Sequence, residues 1–169
     1  MMHIPLLVSQ QWLFDNLTNP QVQVIENAWN RESYHKAHIR GALYVPVHPY
    51  LKKFNANKER TQQVMEAEDF MALCHILGVR RDQHYIIYDD YFGLFAARFW
   101  WVCRHFGLHN FSILNGNWRG WMGNGYPVSS RLEVPVPGTD ILIDPNTSHL
   151  IGWEELWRIH NDPNVQIWD

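Results

Sequence analysis

The stretch His84-Tyr85-Ile86-Ile87-Tyr88 restricts what this chain can fold into more than any other. Successive side chains of a strand point to opposite faces, so four consecutive apolar residues require cover on both sides. A sheet with one wet face would interleave polar residues here. The stretch runs straight into the loop Asp89-Asp90-Tyr91-Phe92-Gly93 and then into a helix from Leu94 to about Phe106, with Gly107 as its C′ residue. Strand, short loop and helix in that order imply a parallel sheet covered by helices on both faces. Ligands of such sheets bind beyond the carboxyl ends of the strands, which makes 89–93 the candidate loop. An aspartate leads this loop, and it contains no cysteine.

The same grammar recurs along the chain. Ser9 is a suitable N-cap for a helix from Gln10 to Leu17, and Asn19-Pro20 ends it. Val22–Glu26 and Ala42–Val47 read as strands, with a helical turn around Arg31–Lys36 between them. The polar stretch from His48 to Gln63 reads as a long surface loop. Phe70, Leu73, Cys74 and Leu77 lie at i, i+3, i+4 and i+7, an amphipathic helix stopped by Gly78. Phe111–Leu114 is a further strand, followed by Asn115-Gly116 and a short helix near Trp118–Met122.

Bulk properties narrow the function classes. The net charge of −3 and pI near 6.3, with no Lys/Arg block, weigh against nucleic acid or an anionic membrane as partner. No run approaches the ~20 apolar residues that span a bilayer. Two cysteines, Cys74 and Cys103, allow one pair at most, so a reducing, cytoplasmic setting is expected. Both sit inside apolar helical patterns and read as buried inert thiols. His105 and His109 have i, i+4 spacing, but Gly107 interrupts the helix between them. No metal site or cofactor is expected. His35 and His38 read as turn and capping residues, and Trp100-Trp101 as core on one side and interface on the other.

From Pro127 the character changes. Residues 129–148 read as an extended, proline-containing linker. Beyond it, His149–Asp169 matches Leu6–Glu26 without a gap at a constant offset (163 − 20 = 143). Pro163-Asn164-Val165-Gln166-Ile167-Trp168-Asp169 repeats Pro20-Gln21-Val22-Gln23-Val24-Ile25-Glu26, and Leu150, Leu156 and Trp157 repeat Leu7, Leu13 and Phe14. The expected organisation is a domain over 1–128, a linker over 129–148 and the start of a second copy over 149–169, contributing one helix and one strand.

Three segments resemble a known family. Asn27-Ala28-Trp29-Asn30-Arg31 through Tyr34 to His38-Ile39-Arg40-Gly41-Ala42 is similar to the early signature of the tandem rhodanese-type sulfurtransferases, with Ala37 and Arg40 departing from it. Tyr88-Asp89-Asp90 with Gly93, Phe95, Ala97, Arg98, Trp100 and Trp101 resembles the helix entry of that family's N-terminal, non-catalytic domain. Leu114-Asn115-Gly116-Asn117-Trp118 with Trp121, Gly125, Pro127 and Val128 resembles its closing segment, with Asn115 and Asn117 departing. The resemblance covers Leu6–Val128. It implies a rhodanese-like open parallel sheet. In the full two-domain form it implies transfer of sulfane sulfur from thiosulfate or 3-mercaptopyruvate, through a loop cysteine of the second domain, to a thiophilic acceptor. A thiolate is needed for this, and loop amides at a helix N-terminus supply one by lowering a thiol pKa.

Asp89 stands at the cysteine position of that loop, so no catalytic residue is expected in this chain and no turnover by it alone. Asp89, Asp90, Tyr91, Phe92, Gly93, Leu94, Arg98 and Arg31 are the candidate loop and crevice residues. Arg98 is expected to pair with a carboxylate such as Asp89 or Asp90. An aspartate-phosphatase reading fails because Tyr91 stands where a second carboxylate is needed. The expected partners are a small anionic sulfur donor in the full-length form, the chain's own second domain, and copies of itself through an open aromatic face. The alternative is a non-catalytic binding or regulatory module for a small anion or a protein.

Overall fold

The computed structural model describes residues 5–47, 51–59, 61, 63–146 and 148–168. Five strands form one parallel sheet: β1 (Leu7–Val8), β2 (Val22–Ala28), β4 (Leu43–Pro46), β5 (His84–Tyr88) and β6 (Phe111–Leu114), in the spatial order β1-β6-β5-β2-β4. A second sheet pairs β3 (His38–Ile39) antiparallel with β7 (Val128–Ser129), closing the end of the unit on its beginning. Helices α1 (Gln10–Asn16) and α5 (Asn117–Gly123) pack on one face of the large sheet. On the other lie α3 (Ala67–Leu77) and α4 (Leu94–His105), while α2 (Arg31–Lys36) links β2 to β3.

The core confirms why β5 is apolar on both faces. Tyr85 and Ile87 point into the larger cluster with Phe70, Leu73, Phe99 and Phe106. Ile86 and Tyr88 point the other way, to Leu13, Leu114 and Trp121. All four are fully buried, and each large apolar side chain removed from water contributes about 1.5–3 kcal/mol. The helix ends follow their sequence signals. Ser9 caps α1 by accepting the Trp12 N–H at 3.0 Å, and Gly78 closes α3 at φ +68°.

Several expectations need correction. The sequence does not mark the two-residue strands β1, β3 and β7, and β2 runs on to Ala28. The 48–63 stretch is not wholly a surface loop. Its residues 48–50, 60 and 62 lie outside the described residues, but Leu51 is buried in the larger core, because Arg98 on α4 ties the Leu51 and Gln63 carbonyls down at 3.1 and 3.2 Å.

The linker is extended, yet it is strapped to the body. Gly138 N–H donates to the His75 carbonyl at 2.8 Å, Asp144 N–H to Phe106 at 3.1 Å and Asn146 N–H to His105 at 2.7 Å. These are last-turn carbonyls of α3 and α4, which a helix leaves without internal partners. Ile141 inserts into the larger core between these anchors. The repeat region forms its helix, α6 (Trp153–Ile159), with no buried residue. Residues 165–168 form no strand. A strand needs a neighbour to take its backbone hydrogen bonds, and none of the described residues pairs with this segment.

Candidate functional site

The chain steps from β2 to β4 on one side and reaches β5 and β6 on the other, so the strand order reverses where β2 and β5 lie side by side. The carboxyl ends of these two strands are the place where such a sheet leaves a crevice. Three acidic residues stand there: Glu26 near the end of β2, and Asp89 and Asp90 directly after β5.

Asp89 is fully buried. Its Oδ1 accepts the N–H groups of Tyr91 (3.0 Å) and Gly93 (2.8 Å), and its Oδ2 those of Phe95 (2.8 Å) and Ala96 (2.9 Å). The loop thus curls around its own first side chain. Phe92 at φ +56° and Gly93 at φ +90° aim the amides inward. The first amides of α4 complete the ring, where the helix carries its positive end. Four backbone donors converging on one point at a helix N-terminus form an anion cradle, and here a carboxylate of the chain itself occupies it.

Glu26 lacks such support. Its register partner on β5 is Tyr88, whose hydroxyl donates to Glu26 Oε2 while accepting the Ile39 N–H at 3.0 Å. Burial pushes the Glu26 carboxyl up to about 7. The Tyr88 hydrogen bond opposes this, and the charges of Asp90 and Asp89 add to it. Burial and the same carboxylate hold the Tyr88 phenol well above its ordinary value. Sequence reading missed this pair. The two residues are 62 positions apart, and only the β2–β5 register brings them together. An acidic residue following the apolar pair Val24-Ile25 was the signal available.

The remaining candidates divide. Tyr91, Phe92 and Leu94 are exposed, as is Trp29 at the end of β2. Phe95 joins them: its ring centroid lies 6.1 Å from that of Trp29 and 5.4 Å from that of Tyr91, giving a continuous aromatic rim. Arg31 lies at the crevice side, 6.0 Å over the Tyr44 ring. Arg98 donates to the Leu51 and Gln63 carbonyls and rests 4.8 Å over the Trp101 ring, so its described contacts anchor the 51–63 stretch to α4. Cys74 and Cys103 are buried. Desolvation lifts the Cys74 thiol to about 12 and the Cys103 thiol well above its usual range. His38 is buried, stacked on Tyr34 at 3.8 Å, with Nδ1 2.6 Å from the Tyr34 carbonyl. No helix of the described residues is long and apolar enough to cross a membrane.

Comparison with known proteins accords with this geometry. A rhodanese-like domain model matches residues 9–124. Bovine thiosulfate sulfurtransferase is 28% identical over 144 residues, covering 78% of this chain and 48% of the relative. Human 3-mercaptopyruvate sulfurtransferase is 31% identical over 149 residues, with the same two coverages of 78% and 48%. The chain therefore spans about half the length of these curated relatives. A crystal structure of a 3-mercaptopyruvate sulfotransferase from Escherichia coli superposes with a TM-score of 0.80 at 23% identity, over 96% of this chain and 64% of that one, a likeness of fold. The chain is a member of the rhodanese-like domain family, homologous to the thiosulfate and 3-mercaptopyruvate sulfurtransferases.

Proposed function

We propose that this chain is the non-catalytic, N-terminal half of a two-domain sulfurtransferase, and that it turns over no sulfur donor by itself. The observation that carries the reading is Asp89. A carboxylate cannot carry a persulfide. It also takes all four amides that would otherwise lower a thiol pKa and receive an anionic donor. Neither cysteine substitutes, since both are buried and held as neutral thiols. The repeat at 149–168, the exposed α6, and relatives of about twice this length support a second, sulfur-carrying unit as the partner.

Within that assembly the rim of Trp29, Tyr91, Phe92 and Leu94 forms one wall of the donor site. The donor belongs to the class of thiosulfate or 3-mercaptopyruvate. The test is sulfur transfer from thiosulfate to cyanide, and from 3-mercaptopyruvate to a small thiol, by the purified chain. The expected result is no product above the uncatalysed background. Turnover that rises with protein concentration contradicts the proposal.

The binding-module alternative is favoured in its protein-partner form. The exposed aromatic rim supports it, whereas a small anion would find its cradle filled.

A further inference from the structure

We propose that Asp89 is a positioning residue for the aromatic rim: its carboxylate is a built-in anion that holds Tyr91, Phe92 and Leu94 in the arrangement presented to the second, sulfur-carrying unit. The inference rests on the reading of the rim as a partner-facing wall and says what keeps that wall in shape. Every rim residue of the loop is tied to this one side chain. Tyr91 donates its own N–H to Asp89 Oδ1, and Phe95 donates its own to Oδ2. Phe92 lies between two tethered residues, Tyr91 and Gly93, and Leu94 between Gly93 and Phe95. The rings then order one another. Tyr91 stacks on Phe95 at 5.4 Å and meets Phe92 edge to face at 5.9 Å. From α5, the Arg119 guanidinium lies 5.2 Å over the Phe92 ring.

Phe92 carries the argument furthest. It is 79% exposed, yet its φ is +56°. Left-handed backbone is unfavourable for a bulky side chain. Core packing does not offset that cost, because the ring lies in neither core cluster. The bonds that offset it are those its two neighbours make to Asp89. Strain of this kind persists only where the surroundings over-determine it, and it gathers at recognition sites. Here it holds an apolar ring out toward solvent. The same four amides would converge on an external anion, since the first N–H groups of a helix attract negative charge of any origin. A carboxylate within the chain removes that dependence. The rim is therefore set before any donor arrives. Without the carboxylate the four N–H groups would have no common acceptor and would turn to water.

The experiment is NMR of the full chain, of Asp89→Ala and of Asp89→Asn, with sodium formate as the added anion. No sulfur donor is present, so turnover by the chain would overturn the proposed function and leave this result standing. Two contacts report the rim: the short amide–Hα contact within Phe92 that a positive φ produces, and the contact between the Tyr91 and Phe95 rings. In the wild-type chain both should be present without formate and unchanged by it. In Asp89→Ala both should be lost, and formate should restore them saturably by replacing the missing carboxylate. In Asp89→Asn both should weaken, because the side-chain NH₂ meets two N–H donors. Formate should not restore them there, since the side chain still fills the cradle. The Ile86 and Ile87 resonances report an intact sheet. Unaltered rim contacts in Asp89→Asn overturn the proposal, whether or not Asp89→Ala folds. So does a folded Asp89→Ala whose lost contacts formate does not restore.

Discussion

At Asp89 the backbone supplies four donors to a buried carboxylate; at Glu26 a single phenol does so. The difference sets two predictions at residue scale. Asp89→Ala leaves the amides of Tyr91, Gly93, Phe95 and Ala96 without their shared acceptor. It should cost roughly 2–4 kcal/mol, since hydrogen bonds to charged groups are worth about 1.5–3 kcal/mol each and are not additive. Urea unfolding of the two proteins measures this, and a cost below the ordinary scatter of surface mutations would contradict the geometry. Glu26 acts in the opposite sense. Its folded-state pKa is raised to about 7. Its contribution is therefore fully present below the unfolded carboxylate pKa and is lost as pH rises through 7. The shift corresponds to about 3 kcal/mol across that window. Glu26→Gln keeps an acceptor for Tyr88 and removes the charge. The variant should lose the downward slope of stability between pH 5 and 8 and be the more stable protein at pH 8. Parallel slopes in both proteins would show that Glu26 does not titrate in this window.

At the scale of elements, the glycines ending α3 and α4 do more than turn the chain. A Cβ on Gly78 would lie 2.2 Å from the Val136 carbonyl oxygen, and one on Gly107 2.9 Å from that of Asp144. Gly41 has a similar left-handed φ of +83° and nothing within 4 Å. Gly41→Ala should therefore cost only the left-handed penalty of about 1–2 kcal/mol. Gly78→Ala adds displacement of the strap and should cost clearly more. Thermal unfolding of the two variants isolates the strap's share, and equal losses would mean that it does not press on α3.

This scale also shows what the sequence made legible. α3 and α4 could be read because Phe70, Leu73, Cys74 and Leu77, and the run after Gly93, repeat at helical spacing. β5 could be read because nothing polar interrupts it. The two-residue strands could not, since β1 and the β3–β7 pair owe their strand character to neighbours distant in sequence. The linker's attachment to the body could not be read, because three of its anchors are backbone N–H groups meeting helix-end carbonyls, a pairing that leaves little trace in residue type. Asp89 was legible as the loop's leader, whereas its four bonds depend on a curl that only the folded loop supplies.

For the whole molecule, the decisive feature is apolar surface at two places. Trp29, Tyr91, Phe92 and Leu94 are exposed around the candidate loop, and Trp153, Trp157 and Trp168 in the repeat region. Patches of this kind mark interaction surfaces. The chain should therefore self-associate across the micromolar range in sedimentation velocity, and Trp157→Glu should reduce the effect. A single monomeric species at every concentration would contradict an open interface.

Acid adds a second dependence. Desolvation holds the partly buried His84 at about 4, with Nε2 2.8 Å from Ser112 Oγ. A base with a lowered folded-state pKa loses its contribution as pH falls from about 6.5 toward that value. The stability of the fold should thus decline on the acid side through His84.

The account rests on a cradle filled from within, and amide NMR with added thiosulfate reads that cradle directly. In the wild-type chain the Tyr91, Gly93, Phe95 and Ala96 resonances should stay in place through the titration. In Asp89→Ser, which shortens the side chain and removes its charge, they should move saturably as the anion enters. Saturable movement of these four amides in the wild-type protein would contradict the account.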